Sequence, residues 1–292
     1  MNDRTLNLRD AELWRTLSQA LGCEITGRGA QRVSGGDINT SLQVPSPQGL
    51  LFIKYNDAAA AAAMFEAEAA GLAALAAASE TAWVPAPVWR GPWGHGAALV
   101  LEHLPLQSRG DERILGAALA QLHSAPTAPA FGWHQDTYLG TSRQDNTQSP
   151  NWAEFFWARR LQPQLQRAAA QGLRTDPARL EHRCAQLLSS HHPPPRLVHG
   201  DLWRGNAGFA EGRPALFDPA VYWGDREVDL ALTELFGGFG AHFYEAYDTA
   251  LPRPADAPGR VPLYNLYHLL NHYNLFGDSY RGACLTAMET LG

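Results

Sequence analysis

Leu13, Trp14, Leu17 and Leu21 recur at helical spacing, so residues 10–21 read as an amphipathic helix with one apolar face. Three short extended segments follow. Gln31-Arg32-Val33 leads into Ser34-Gly35-Gly36, then come Ser41-Leu42-Gln43-Val44 and Leu50-Leu51-Phe52-Ile53-Lys54-Tyr55. Pro45-Ser46-Pro47-Gln48-Gly49 between the last two is a turn, with proline and glycine at its ends. The alanine-rich run from Ala58 to Ala78 predicts a long helix. It contains Glu66 and Glu68, which insert poorly into a bilayer, so a helix of the folded protein is the better reading than a membrane span. The apolar strand Ala97–Leu101 comes next and stops at Glu102-His103-Leu104-Pro105.

Beyond that stop the periods are mainly helical. Ile114, Leu115, Ala118, Leu119 and Leu122 share one face of a helix over 111–124. Further helices are expected over 152–170, from about 177 to before His191, and near 228–236, 241–251 and 262–276, with a strand–loop–strand insert over 197–218. The expected architecture is α+β and two-lobed. A small antiparallel-sheet lobe with one long helix (1–101) is joined through 102–106 to a larger, mainly helical lobe (107–292).

Composition narrows the function classes. The 292 residues are 45% apolar and 18% charged, ordinary for a globular protein with a sizeable core. A formal net charge of −6 offers no general attraction for nucleic acid or an anionic membrane surface, so neither is an expected partner. Cys23, Cys184 and Cys284 lie far apart without C-x-x-C spacing, which argues against a disulfide framework or structural zinc and makes a reducing cytoplasm the expectation. The polar start Met1-Asn2-Asp3-Arg4 leads into no apolar signal core.

The chemistry is concentrated in His199-Gly200-Asp201-Leu202-Trp203-Arg204-Gly205-Asn206. Phosphoryl transfer from ATP needs a cation on the phosphates, Mg²⁺ held by oxygen ligands, and a carboxylate that orients or deprotonates the attacking hydroxyl. Asp201 is the candidate base and Asn206 offers an amide oxygen to the metal. Asp218 emerges from the apolar run Ala215-Leu216-Phe217 as a second hard oxygen ligand. Taken singly these are also ordinary turn and cap residues; the ordered combination H-G-D-x-x-x-x-N followed by apolar-Asp carries the specificity.

Lys54 in the third strand becomes a phosphate clamp if a helix carboxylate pairs with it. Glu66 and Glu68 lie about 200° apart around the helix, so only one faces the cleft, and Glu68 is the expected partner. Gly35, Gly36 and Asp37 sit at a hairpin where backbone amides could cover phosphate oxygens, although Gly-Gly-Asp is also a common turn. Main-chain groups of Glu102, His103 and Leu104 are candidates to pair with adenine.

The chain resembles the fructosamine kinase (ketosamine 3-kinase) family, near aminoglycoside and choline kinases within the protein-kinase-like fold. The likeness rests on Ser34–Asn39, Phe65–Leu72, Leu99–Leu104, Leu115–His123, Trp152–Leu165, His199–Asn206 and Leu269–Gly277. It rests above all on the Phe217–Ala231 stretch, F-D-P-A-V-Y-W-G-D-R-E-V-D-L-A. It implies ATP-dependent phosphorylation of the C3 hydroxyl of ketosamines, free or on glycated protein. The phosphate beside a C2 ketone then leaves after enolisation and the amine is freed, which amounts to deglycation.

Carried onto these positions, Asp201 is the general base, Asn206 and Asp218 hold metal, and Lys54 with Glu68 positions phosphate. Trp203 looks like the family's substrate-stacking aromatic, against a core tryptophan as the alternative in a chain with nine. His272 matches a position near the sugar, with a packed helix histidine as the alternative. Asp229 is expected to brace the catalytic loop, and Asp225 is a candidate substrate contact. Arg204 stands where the family commonly has a small residue, so it either contacts phosphate or only changes the loop's charge. A monomer is expected. The competing readings are a kinase for an aminoglycoside, choline or a sugar derivative, and a nucleotide-binding pseudokinase.

Overall fold

The computed structural model describes residues 8, 11–33, 38–107 and 109–292. The first lobe contains α1 (Ala11–Leu21), β1 (Gln31–Val33), β2 (Thr40–Ser46), β3 (Gly49–Asn56), α2 (Ala61–Ala78), β4 (Pro87–Trp93) and β5 (Gly96–Glu102). Its strands form one antiparallel sheet in the order β1-β2-β3-β5-β4. Strand alternation divides the sheet into two faces. Leu51, Ile53 and Tyr55 of β3 join Leu13, Trp14 and Leu17 of α1, with Trp93 at the centre. On the opposite face Leu99 and Leu101 of β5 pack on Phe65, Leu72 and Leu75 of α2. Lys54 shares that second face and therefore points toward α2. Among the described helices, α2 alone is long and apolar enough to cross a membrane; just under half of it is buried inside the protein.

The second lobe runs through β6 (Leu106–Gln107), α3 (Glu112–Ser124), β7 (Thr137–Leu139), β8 (Ser142–Gln144), α4 (Trp152–Phe156), α5 (Gln162–Ala170) and α6 (Pro177–Leu188). It continues with β9 (Arg196–Val198), β10 (Ala207–Ala210), β11 (Arg213–Leu216), β12 (Tyr222–Gly224), α7 (Glu227–Leu235), α8 (Ala241–Ala250), α9 (Val261–Phe276) and α10 (Arg281–Thr290). The core around α2 extends without a break into α3, α7 and α8 through Leu119, Leu230 and Phe243, so the two lobes share buried apolar surface. A separate core gathers α4, α5, α6 and α9. Cys184 and Cys284 are buried free thiols in it, and Cys23 is also free.

The expected helix over 152–170 is interrupted by a π-helical turn, Trp157–Leu161. Pro163 lacks an N–H and so leaves the Arg159 carbonyl, four residues earlier, without its helical donor. The Arg160 guanidinium fills that role: Nη1 donates to Arg159 O (3.1 Å) and to Asp145 O (3.0 Å). Its Nη2 donates to Asn146 Oδ1 (2.6 Å), and its charge lies over the rings of Tyr222 and Phe155 at 4.1 and 4.7 Å. The widened turn is what brings this arginine fully inside. The hairpin β7–β8, the strand β4 and the final helix α10 also lie outside what hydrophobic period predicted.

Helices α3 and α8 touch at Gly116, where an added Cβ would stand 2.1 Å from the Phe243 carbonyl oxygen. Gly116→Ala is expected to destabilise the fold by about 1–3 kcal/mol, because a backbone atom and not a flexible side chain must give way. Urea unfolding followed by far-UV circular dichroism reads this directly; an unchanged midpoint contradicts the tight contact.

Candidate active site

The loop from His199 to Asn206 leaves β9, which is held antiparallel to β12 with Val198 opposite Tyr222. Asp229, in the first turn of α7, reaches under the loop and accepts from the backbone N–H groups of His199 (2.7 Å) and Gly200 (2.8 Å). His123 of α3 pairs with the same carboxylate through Nε2 (3.1 Å) and with Tyr247 Oη of α8 through Nδ1 (2.8 Å). Arg226 then donates to that Tyr247 oxygen (3.0 Å). Burial pushes the Asp229 carboxyl up, but His123, His199 and the Gly200 amide hold it below its ordinary value. The bracing role expected for Asp229 is thus carried by three short contacts to its carboxylate.

Gly200 has φ +79°, and a Cβ there would meet the Ala220 carbonyl oxygen at 2.2 Å, so only glycine fits this turn. The buried His199 imidazole donates from Nε2 to Phe217 O (3.0 Å) and accepts from Asp201 N at Nδ1 (3.3 Å). Burial lowers its pKa and keeps it neutral against the pull of Asp229. The ring therefore ties the loop to the strand end that presents Asp218.

Asn206 Nδ2 donates to both Asp201 O (2.9 Å) and Asp201 Oδ2 (3.0 Å), which turns its Oδ1 outward as an acceptor. Asp201 is pushed up to about 7, by burial first and the nearby Asp218 charge second, against the Asn206 hydrogen bond. Asp218 sits at φ +58°, a left-handed conformation that turns its carboxylate back into the cleft. There Lys54 Nζ lies 2.5 Å from Asp218 Oδ1 and 2.6 Å from Glu68 Oε1. Burial works against the Lys54 charge, yet the two carboxylates outweigh it and raise its pKa. Glu66, on the other side of α2, forms an exposed pair with Arg90 instead.

One cavity of about 330 Å³ is lined by Lys54, Glu68, Asp201, Asn206 and Asp218 together with Trp203 and His272. Asn206 Oδ1 and the Asp218 carboxylate are hard oxygen donors, and the lysine beside them suits a polyphosphate, so the residues fit a metal-bound nucleotide. Gly35, Gly36 and Asp37 lie outside the described residues. Among the adenine candidates, Glu102 N is committed to Ala86 O (2.9 Å) and its carboxylate accepts from Trp83 Nε1 and Ala86 N. Leu104 O accepts from Leu106 N (2.8 Å), while the His103 ring contacts Gln43. Glu102 N and its carboxylate therefore brace β5 against the preceding loop, which leaves its carbonyl as the main-chain group for the adenine role.

Asp225 is a correction to the expected site. It is 1% exposed and does not line the cavity. Its Oδ2 accepts from His191 Nε2 (2.7 Å) and Tyr264 Oη (2.6 Å), and its Oδ1 accepts from Glu227 N (3.1 Å). That last bond caps the start of α7, a role its position two residues before Glu227 makes readable in sequence. Glu227 is in turn held by two nitrogens of Arg260 at 2.7 and 2.9 Å, so the neighbouring His191–Asp225–Glu227 cluster has its oxygens engaged. Arg204 donates to Glu112 (2.8 Å) and Gly238 O (3.0 Å), tethering the loop to α3. Sequence reasoning missed the cavity residues Thr137, Tyr138, Phe236, Asn271, Phe276 and Tyr280. Of these only Asn271, next to His272, carried a local signal.

A family model described as fructosamine kinase matches residues 10–291. A relative from Synechocystis sp., named a probable ketoamine kinase, is 42% identical over 92% of this chain and 93% of its own. The ketosamine-3-kinase of Mus musculus is 33% identical over 94% of this chain and 98% of its own. A solved fructosamine-3-kinase family protein of Haemophilus somnus 129PT superposes with a TM-score of 0.88 at 29% identity, covering 96% of both chains. More distant solved structures share the fold alone, among them an aminoglycoside phosphotransferase at 15% identity and TM-score 0.65. The loop, the lysine–carboxylate cluster and a match across almost the whole length agree: the chain belongs to the fructosamine kinase family.

Proposed function

We propose that the protein is an ATP-dependent kinase that phosphorylates the C3 hydroxyl of ketosamines and thereby starts their deglycation. The observation that carries this reading is the single cavity that joins Lys54, Glu68, Asp201, Asn206 and Asp218 to the aromatic pair Trp203 and His272. Mg²⁺, when bound, supplies charge neutralisation on the phosphates. Asn206 Oδ1 and Asp218 are the ligands proposed for it, and Lys54, steadied by Glu68, holds phosphate oxygens. Asp201 accepts the hydroxyl proton as the sugar oxygen bonds to the γ-phosphorus and the bond to ADP breaks. The Trp203 face supports the C–H side of the sugar.

The same reading puts the lobe junction at 102–106, with adenine near the main chain of Glu102, His103 and Leu104, and gives the cover over the phosphates to Gly35, Gly36 and Asp37. The acceptors are small ketosamines and, by extension, glycated protein side chains. Three free cysteines accord with a reducing cytoplasm, and a monomer suffices because one chain supplies the whole proposed set.

Steady-state kinetics on ribulose-, erythrulose- and fructose-derived lysine adducts tests the activity, with the shorter sugars expected to be the better substrates. Asp201→Ala is expected to lower turnover by at least about 10³-fold while nucleotide affinity stays within a few-fold, since the base acts on the acceptor and not on ATP. Turnover of an aminoglycoside or choline with none of the ketosamines, or near-normal turnover by the variant, contradicts the reading.

The raised Asp201 pKa also makes a stability prediction for the unliganded protein. The fold disfavours the ionised form, so the cost is absent below the unfolded value near 4 and complete above about 7. Asp201→Asn removes that cost, and its melting temperature relative to wild type is expected to rise as pH increases from 4 to 8. A pH-independent difference contradicts the assignment.

A further inference from the structure

The proposed transfer chemistry leaves much of the cavity's aromatic lining without a role. From Trp203 the rings continue to Phe236 (centroids 6.1 Å apart), then to His272 (4.7 Å), and from His272 to Tyr280 (4.9 Å) and Phe276 (5.7 Å). All five line the same cavity. Local sequence builds this wall. His272 and Phe276 are four residues apart on α9, hence on one face. The helix stops at Gly277, whose φ of +79° starts a 3-10 turn over Gly277–Tyr280 and brings Tyr280 back against His272. His272 Nδ1 donates to the His268 carbonyl (2.8 Å), which fixes the plane of the ring.

Two features give the wall a ligand preference. Trp203 and Phe276 remain 38% and 40% exposed, so large aromatic faces stay available at the cavity rather than packed away. Among the described residues, the Asp, Glu, Lys and Arg side chains that line the cavity are Lys54, Glu68, Asp201 and Asp218, which pair with one another or with Asn206 rather than with the rings. Lys54 is already shared by two carboxylates. Just outside, Asp278 is largely solvated and lies 3.7 Å from Arg281. The aromatic wall therefore presents negative π faces and apolar edges, and among the described residues no lysine or arginine of the wall meets an anionic group.

We propose that Phe236, His272, Phe276 and Tyr280 form the subsite for the amine-bearing end of the ketosamine. There they select adducts whose nitrogen carries an apolar or aryl substituent over adducts of α-amino acids. A secondary ammonium is attracted to the ring faces, and an apolar substituent buries their exposed carbon. A carboxylate one carbon from the nitrogen is repelled by the same faces and loses its hydration without a partner. This inference rests on the ketosamine reading and adds the identity of the amine.

The test compares two substrates with the same sugar, 1-benzylamino-1-deoxyribulose and 1-carboxymethylamino-1-deoxyribulose, using the intact enzyme with MgATP. Wild type is expected to favour the benzyl adduct roughly tenfold in kcat/KM, mainly through KM. Phe276→Ala and Tyr280→Ala are each expected to shrink that ratio about three- to tenfold, and Phe276→Tyr to keep it. Phe276→Leu preserves apolar volume without a ring and separates lost π contact from lost folding. Equal use of both adducts by wild type, or an unchanged ratio in Phe276→Leu and Tyr280→Ala, overturns the subsite while leaving the kinase reading intact. Turnover of neither adduct by wild type overturns the ketosamine reading itself.

Discussion

A buried carboxylate must be met by donors, and in this protein Asp229 turns that requirement into architecture. Its two oxygens accept from two consecutive backbone amides of the catalytic loop and from His123, and His123 is itself held by Tyr247. The loop is thereby fixed to α3, α7 and α8 at once. Everything the loop presents inherits that rigidity: Gly200 can approach the Ala220 carbonyl, His199 can reach Phe217 O, and Asp201 stands at a set depth in the cleft. A carboxylate with short range and several donors does this better than apolar packing, which has no directional preference.

The cleft above the brace is unbalanced in charge. Among the described residues Asp201, Asp218 and Glu68 line the cavity with Lys54 as its one lysine or arginine, and burial first and the Asp218 charge second push Asp201 up to about 7. A divalent cation, if held by the proposed ligands Asn206 and Asp218, would offset the Asp218 charge and favour the ionised Asp201 that the proposed base role needs. The same charges explain why the aromatic lining of the cavity matters. With the ionic groups assigned to phosphate, the proposed acceptor recognition falls to the ring faces.

Much of this site was legible because its signals are local. Asp201 and Asn206 lie within one loop, Asp218 follows a short apolar strand, and the half-turn between Glu66 and Glu68 decides which carboxylate meets Lys54. The errors came from partners far along the chain. Asp225 is taken up by His191 and Tyr264, 34 residues before it and 39 after it, and nothing beside Asp225 announces either. The Glu102 carboxylate is engaged by Trp83, 19 residues before it. The π-turn depends on acceptors at Asp145 and Asn146, and the aromatic wall depends on a chain reversal at Gly277. Hydrophobic period reports which face of an element is buried, but not which distant polar group will meet it there.

The central claim is that this cleft delivers phosphate to one oxygen, that on C3 of the ketosamine sugar. The direct measurement is ³¹P–¹³C NMR of the product made from ATP and a ribulosyl-lysine labelled with ¹³C at C3. The account predicts phosphorus coupling through oxygen to the labelled carbon, followed by loss of that signal as the free amine appears. Phosphorus coupled to another sugar carbon, or ATP consumed with no phosphorylated ketosamine, contradicts it.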